Sequence, residues 1–456
     1  MTALWTSEEA QGATLGIPSR VFEVSGLSID TRTLKRGDMF VALKGDNRDG
    51  HQFVKAALDA GANAALVSQQ PADLAADSAL LTVAHTQRAL EDLAVASRAR
   101  SNAKIVAVTG SVGKTTTKEI LRLAFGALGA THASAASYNN HWGVPLSLAA
   151  IPRETRYGVF EIGMNHFGEI RALVGFARPH VALVTGIAPA HLEFFGTLEA
   201  IADAKAEIFE GIVPGGAALV PHDSPFAERL IARAHQTHVA RILRFGSSAR
   251  CDGRLLDYAL LAEGAHVKAD ILGTPVEFRI GAQGKHVAQN AIGALLAVAA
   301  AEGDVLNAAA ALRQFNALKG RGARFSAAGV EVIDESYNAN PASMAAGLAL
   351  LSDAKGRRIA VLGDMLELGP QSGAHHAGLL TAIEAARADR VFLCGAHMKS
   401  LWDVLPDTRR GAYAASSAEL APLLIRALEH GDTVLVKGSL GSRMALIIDA
   451  LKARGG

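Results

Sequence analysis

A three-domain α/β protein with mostly parallel sheets is what this sequence predicts, and three observations carry that expectation. The chain has 456 residues, too many for one core at about 150 residues per domain. Apolar runs alternate with helical patterns over most of its length, which favours parallel sheets with ligands at the C-terminal ends of the strands. The last third carries three strand-then-turn units separated by helical stretches, the order of a Rossmann-like domain. Composition agrees with a globular chain, half hydrophobic and a fifth charged. Forty-five Lys+Arg against 44 Asp+Glu leave a net charge of +1, so no global field exists to hold a polyanion and nucleic acid is not an expected partner. Mean hydropathy is +0.20, yet the longest apolar run, Ala291 to Ala301, is far short of the roughly 20 residues of a spanning helix. Much of that hydropathy is alanine, so the chain is expected not to be membrane-embedded. The opening MTALWTSEEA lacks the basic-then-apolar order of a secretory signal. Cys251 and Cys394 are far apart, without a CxxC or metal-type spacing, which fits inert thiols in a reducing, cytoplasmic setting.

The first domain, expected over residues 1–101, is a small α/β unit. Gly37 to Gly45 reads as a strand and Gln52 to Ala62 as a helix, followed by short strands at Ala64 to Val67 and Leu80 to Val83. A helix from about Thr86 to Arg100 runs into the polar break Ser101 to Lys104. The second domain, 102–316, opens on the buried strand KIVAVTG and the helix KTTTKEILRLAFGALG, whose Ile120, Leu121, Ala124, Phe125 and Leu128 share a face. Further strands are expected at Tyr157 to Ile162, His180 to Thr185 and Gly216 to Val220, then a strand-rich stretch over 250–285 and an Ala-rich helix from Val287 to Ala301. The third domain, 317–456, opens on the turn Gly320 to Gly322 and carries its strands at Arg358 to Met365, Arg390 to Gly395 and Asp432 to Ser439.

The strongest chemical signal is TGSVGKTTT, Thr109 to Thr117, between a strand and a helix. Backbone N–H groups of Gly110, Ser111, Val112 and Gly113 can converge on phosphate oxygens, and the helix N-terminus behind them adds partial positive charge. Lys114 is placed for the β- and γ-phosphates and the Thr115 hydroxyl for Mg²⁺, with Thr116 beside it. The central unit thus reads as a P-loop ATPase domain, although Val108 stands where the usual motif has glycine. The motif alone does not choose between kinases, switches, motors and ligases. Glu161 ends a strand, where a carboxylate among apolar residues needs a partner: a phosphate-bound Mg²⁺, or a buried Lys or Arg. His191 follows another strand and reads equally as a packing residue. Lys205, on an Ala-rich helix, reads by itself as a solvated charge.

The segments TGSVGKTTTKE, YNNHWGVPLSL, VFEIGMNHFGEI, AHLEFFGTLEAIADAKAEIF, VIDESYNANPASM and LGDMLELG together resemble the Mur ligase family over essentially the whole chain, and the short phosphate loop is that family's own variant. The resemblance implies an ATP-dependent amide ligase, closest to the members that join D-alanyl-D-alanine to UDP-N-acetylmuramoyl-tripeptide through an acyl phosphate, acting as a monomer. It implies that Ser28, Asp30, Arg32 and Asn140 hold the uridine nucleotide, and that Asn290, Arg321, Asp334 and Asn338 contact ATP with the phosphate loop. It further implies Mg²⁺ bound through Thr115, Glu161, His191 and a carbamate of Lys205, with Lys114, Lys205 and His191 serving catalysis. Gly186 and Val287 depart from the family's usual residues. KGSLGSRM, Lys437 to Met444, offers backbone amides suited to a peptide carboxylate or phosphate, or is a plain tight turn. Another amide ligase of the same architecture, such as a folylpolyglutamate synthase, and a P-loop switch are the alternatives.

Overall fold

Strand Lys104–Thr109 is buried at five of its six positions, as a strand covered on both faces must be. It lies between the parallel strands Tyr157–Glu161 and Val181–Val184, where the chain's order in the sheet reverses. A crevice at the C-terminal ends of the strands is expected at such a switch point. The computed structural model describes residues 3–454 except 72, 73, 76, 262 and 353. Among these residues the central sheet has nine strands, beginning at Thr131–Ala133 and ending in the antiparallel run Gly253–Leu260, Ala265–Ile271 and Thr274–Ile280. Helix Lys285–Ala300 is buried at twelve of its sixteen positions and packs against helix Lys114–Gly126 and the sheet. That burial is where the alanine-rich hydropathy goes. Among the described residues no helix is long and apolar enough to cross a membrane.

The first domain has a five-stranded sheet in the order Ile17–Pro18, Leu80–Thr82, Ala64–Val67, Asp38–Val41 and Gly26–Ser28, parallel except at its first pair. The acidic opening is a helix, Ser7–Thr14: the Thr6 hydroxyl accepts from the Glu9 N–H while the Glu9 carboxylate accepts from the Thr6 N–H. Helix Thr86–Arg100 places Leu90 and Leu93 in this domain's core and Ala94 in the central one. The first sheet thus ends at Thr82 and the central sheet opens at Lys104.

The last domain has six strands in the order Ala323–Ala327, Val330–Glu335, Thr433–Lys437, Arg358–Gly363, Arg390–Cys394 and Arg410–Ala414, parallel after the first hairpin. The three strand-then-turn units of the sequence are neighbours in it, with apolar layers on both faces. Burial pushes the Cys394 thiol up to about 12 and that of Cys251 up to about 11, so neither forms a reactive thiolate at neutral pH.

Candidate active site

A cleft of about 1230 Å³ opens beyond the C-terminal ends of the central strands, larger than a pocket for one small ligand. Its floor is the phosphate loop. Gly113 caps helix Lys114–Gly126 at φ 82°, and a Cβ there would stand 2.7 Å from Asn290 Nδ2. A Cβ on Gly110 would come within 1.9 Å of Thr185 Oγ1. Both positions therefore need glycine, and the main chain is left open to the cleft along Ser111 to Thr116. The Lys114 ammonium donates to the Gly110 carbonyl at 2.8 Å and is held below the ordinary lysine range, chiefly by burial. An anion is the natural second partner for it.

Glu161 is 1 % exposed and has neutral partners, not the Lys or Arg that burial alone suggests. The Thr115 hydroxyl donates to its Oε2 at 2.8 Å and the Asn139 amide to its Oε1 at 2.7 Å. Lys205 is not the solvated lysine of its sequence setting: it is 2 % exposed and lines the cleft. Burial, then the charge of Lys114, drives its ammonium well below the usual lysine range. The charged form is disfavoured in that setting, since an unpaired buried charge is costly.

His191 begins helix Leu192–Phe195 at φ 60°, and its Nδ1 lies 2.5 Å from Glu367 Oε2 of the last domain. The two atoms are in close contact at an angle outside hydrogen-bond geometry. His191 holds the Glu367 carboxyl below the usual range. The last domain also brings Arg321, whose guanidinium lies 4.1 Å over the Tyr337 ring, and Asn338 and Asn340. The buried Lys437 ammonium donates to Glu335 at 2.8 Å and to the Asn338 carbonyl at 3.0 Å, fixing this wall.

The structure thus brings together Ser111, Val112, Gly113, Lys114, Thr115, Thr116, Glu161, His191, Lys205, Asn290, Arg321, Asn338 and Asn140 around one cleft. Asp334 does not line it. Its two oxygens accept from the Gly320 N–H and from Ser336, so its visible work is holding the turn that carries Arg321. Ser28, Asp30 and Arg32 also lie outside the cleft. There Asp30 accepts a two-pronged bond from Arg32, which holds its carboxyl at about 2. Tyr138 lies close enough to act on Arg32, and a Cβ on Gly45 would meet the Trp142 ring at 2.8 Å. The first domain therefore abuts the YNNHWG segment, from which Asn140 reaches the cleft. In KGSLGSRM, the Ser439 hydroxyl accepts from the Leu366 N–H and donates to the Ala339 carbonyl, so this turn braces its neighbours.

Sequence reasoning passed over Asn139, Glu335, Glu367 and Lys437. Asn139 was within reach, because it stands in YNNHWG; the others act only through partners distant in sequence.

Family models match in three consecutive pieces: the Mur ligase family catalytic domain over residues 23–98, the Mur ligase middle domain over 108–298 and the Mur ligase glutamate ligase domain over 320–440. The UDP-N-acetylmuramoyl-tripeptide–D-alanyl-D-alanine ligase of Rickettsia prowazekii is 34 % identical over 98 % of this chain and 99 % of its own. A crystal structure of MurF from Acinetobacter baumannii superposes with a TM-score of 0.87 at 32 % identity, covering 98 % of this chain and 99 % of that one. MurF ligase from Thermotoga maritima, solved in complex with ADP, gives 0.78 at 25 % identity over 94 % and 98 %. The chain belongs to the Mur ligase family.

Proposed function

We propose that the chain is an ATP-dependent ligase that joins D-alanyl-D-alanine to UDP-N-acetylmuramoyl-tripeptide, giving ADP, phosphate and the pentapeptide precursor of peptidoglycan. The single observation that carries this reading is the likeness over nearly the whole length to ligases of that name, joined to a cleft that holds a phosphate loop, a buried lysine and a wall from the last domain.

Joining a carboxylate to an amine in water is uphill without activation. The tripeptide's terminal carboxylate attacks the γ-phosphorus of ATP, the bond to the β–γ bridging oxygen breaks, and an acyl phosphate forms. Lys114 and the loop N–H groups spread the charge of the transferring phosphoryl group. The dipeptide's free amine then attacks the acyl carbon and phosphate leaves from the tetrahedral intermediate. The wall carrying Arg321, Tyr337 and Glu367 excludes water that would hydrolyse the acyl phosphate.

Thr115 and Glu161 offer two hard oxygen donors 2.8 Å apart at the end of the phosphate loop. Among the described residues no group of three or more His, Cys, Asp or Glu could hold a metal by itself. A donor set this sparse fits Mg²⁺, which keeps water and takes phosphate oxygens as ligands. When bound it neutralises charge on the β- and γ-phosphates. Burial favours the neutral amine of Lys205 over its ammonium, and the neutral amine is the form that would add CO₂, releasing a proton and becoming an anionic carbamate. His191 and that carbamate, which line the same cleft, would supply further ligands to a divalent cation. Asn290 and Arg321 bind the nucleotide, and Ser28, Asp30, Arg32 and Asn140 the uridine end. All these residues come from one chain, so a monomer suffices, working in the cytoplasm where ATP and the precursors are.

Phosphate release by purified protein given ATP and UDP-muramoyl-tripeptide is expected to depend on added D-alanyl-D-alanine. Equal release without the dipeptide would overturn the reading.

A further inference from the structure

His191 and Glu367 are contributed by different domains, yet they meet at 2.5 Å. The same two segments share a main-chain bond, from the Glu193 N–H to the Glu367 carbonyl at 3.1 Å. Gly369 follows at φ 66° and lies so close that a Cβ there would stand 3.3 Å from Glu193 Cα. His191 and Glu367 themselves adopt left-handed backbone, at φ 60° and 63°. Left-handed backbone is costly for residues other than glycine and persists where surroundings over-determine it, often at functional sites. Two such residues facing each other across a domain junction make a built contact: one main-chain bond sets the register and one carboxylate reaches one ring nitrogen.

We propose that Glu367 is a positioning residue for His191, delivered by the last domain as it closes, so that closure and completion of the His191 side of the cleft are one event. The contact sits at Nδ1. A carboxylate there favours the tautomer with the proton on Nδ1 and leaves the Nε2 lone pair as the ring's ligating pair, on a residue that lines the cleft. In an open arrangement the ring loses this partner and is free to turn. The chain thereby withholds a competent His191 until the wall that excludes water is in place. This inference rests on the ligase reading for the identity of what His191 would ligate, a phosphate-bound divalent cation.

The test compares Glu367→Ala and Glu367→Gln with the unaltered protein, all saturated with a non-hydrolysable ATP analogue. Mn²⁺ binding is read by water-proton relaxation and closure by the radius of gyration from small-angle scattering. Glu367→Ala should weaken Mn²⁺ binding about 10-fold or more and enlarge the radius of gyration. Glu367→Gln, which keeps an acceptor oxygen in reach of Nδ1, should recover most of both. In turnover, the alanine variant should lose kcat while its KM for UDP-muramoyl-tripeptide stays close to that of the parent. An alanine variant that binds Mn²⁺ and closes as the parent does overturns the proposal. So does a glutamine variant as impaired as alanine, because a merely structural loop would respond to both alike. Absence of pentapeptide product from the unaltered protein would instead remove the ligase reading, while the scattering result would still decide whether Glu367 governs closure.

Discussion

The Thr115 hydroxyl donates to Glu161 Oε2 across 2.8 Å, tying the first turn behind the phosphate loop to the end of the neighbouring strand. Asn139 holds the other carboxylate oxygen. Among the described residues the carboxylate is therefore buried with neutral hydrogen-bond donors and no ion pair, only the charge of Lys114 acting on it from a distance, an arrangement that a cation would complete. Thr115→Ala leaves Oε2 without its donor and should lower kcat about 10²-fold, with Thr115→Ser restoring most of it. Steady-state ADP release checks this. Parent-like turnover by the alanine variant would remove Thr115 and Glu161 from the chemistry.

Lys205 is buried beside Lys114, and its amine is driven far below the ordinary lysine range. Between the lowered folded value and the ordinary one, the unfolded chain therefore binds a proton there that the folded chain does not. Stability must fall as pH drops from the ordinary lysine value toward the folded one, where both states are protonated and the loss is complete. Lys205→Met, which removes the liability, should raise the melting temperature in bicarbonate-free buffer near pH 7. Its advantage should shrink as pH rises toward 10. The same variant should lose activity about 10²-fold or more, and Lys205→Ala should be partly rescued by a short carboxylate. A methionine variant less stable than the parent at pH 7 would show that the lysine is paired.

Gly113 has a left-handed φ of 82° and leaves no room before Asn290. Gly113→Ala should cost about 1–3 kcal/mol of stability and weaken ADP binding, because in the proposed reading Asn290 and the helix start both hold the nucleotide. Calorimetric titration with ADP measures the second effect, and unchanged affinity would contradict the assignment of this loop.

Asp30 holds the Arg32 guanidinium by two prongs, and its carboxyl sits at about 2. That support is present above the unfolded carboxyl value and is lost only as pH falls through about 2. Across pH 5–8 no change in uridine-nucleotide binding should arise from it. Asp30→Ala frees Arg32 and should raise KM for the UDP substrate about 10-fold with kcat little altered. A fall in kcat at unchanged KM would place Asp30 elsewhere in the reaction.

The buried strands and the long helices were legible because their chemistry is local. Ala64–Val67 and helix Thr86–Arg100 fall where the apolar periodicity places them. Strand Arg241–Gly246 is interrupted by arginines and sits beside neighbours that the sequence cannot supply. The hairpin Ala323–Glu335 alternates polar and apolar residues at a sheet edge and carries no turn signal stronger than its Gly329. The phosphate loop is equally local, and its residues come together because they are consecutive. Lys205 is different: its helix position says solvent, and only packing against the cleft buries it. Glu367 is more distant still, since its partner belongs to another domain. Asp334 is the reverse case: its oxygens already accept from the Gly320 N–H and from Ser336, local bonds that the sequence does not announce.

Mass spectrometry of the product formed from ATP, UDP-N-acetylmuramoyl-tripeptide and D-alanyl-D-alanine tests the central claim most directly. The expected result is a tripeptide precursor heavier by one dipeptide less one water, appearing with one ADP and one phosphate. ATP consumed without that mass gain, or the gain appearing with another amino acid and not with the dipeptide, would contradict it.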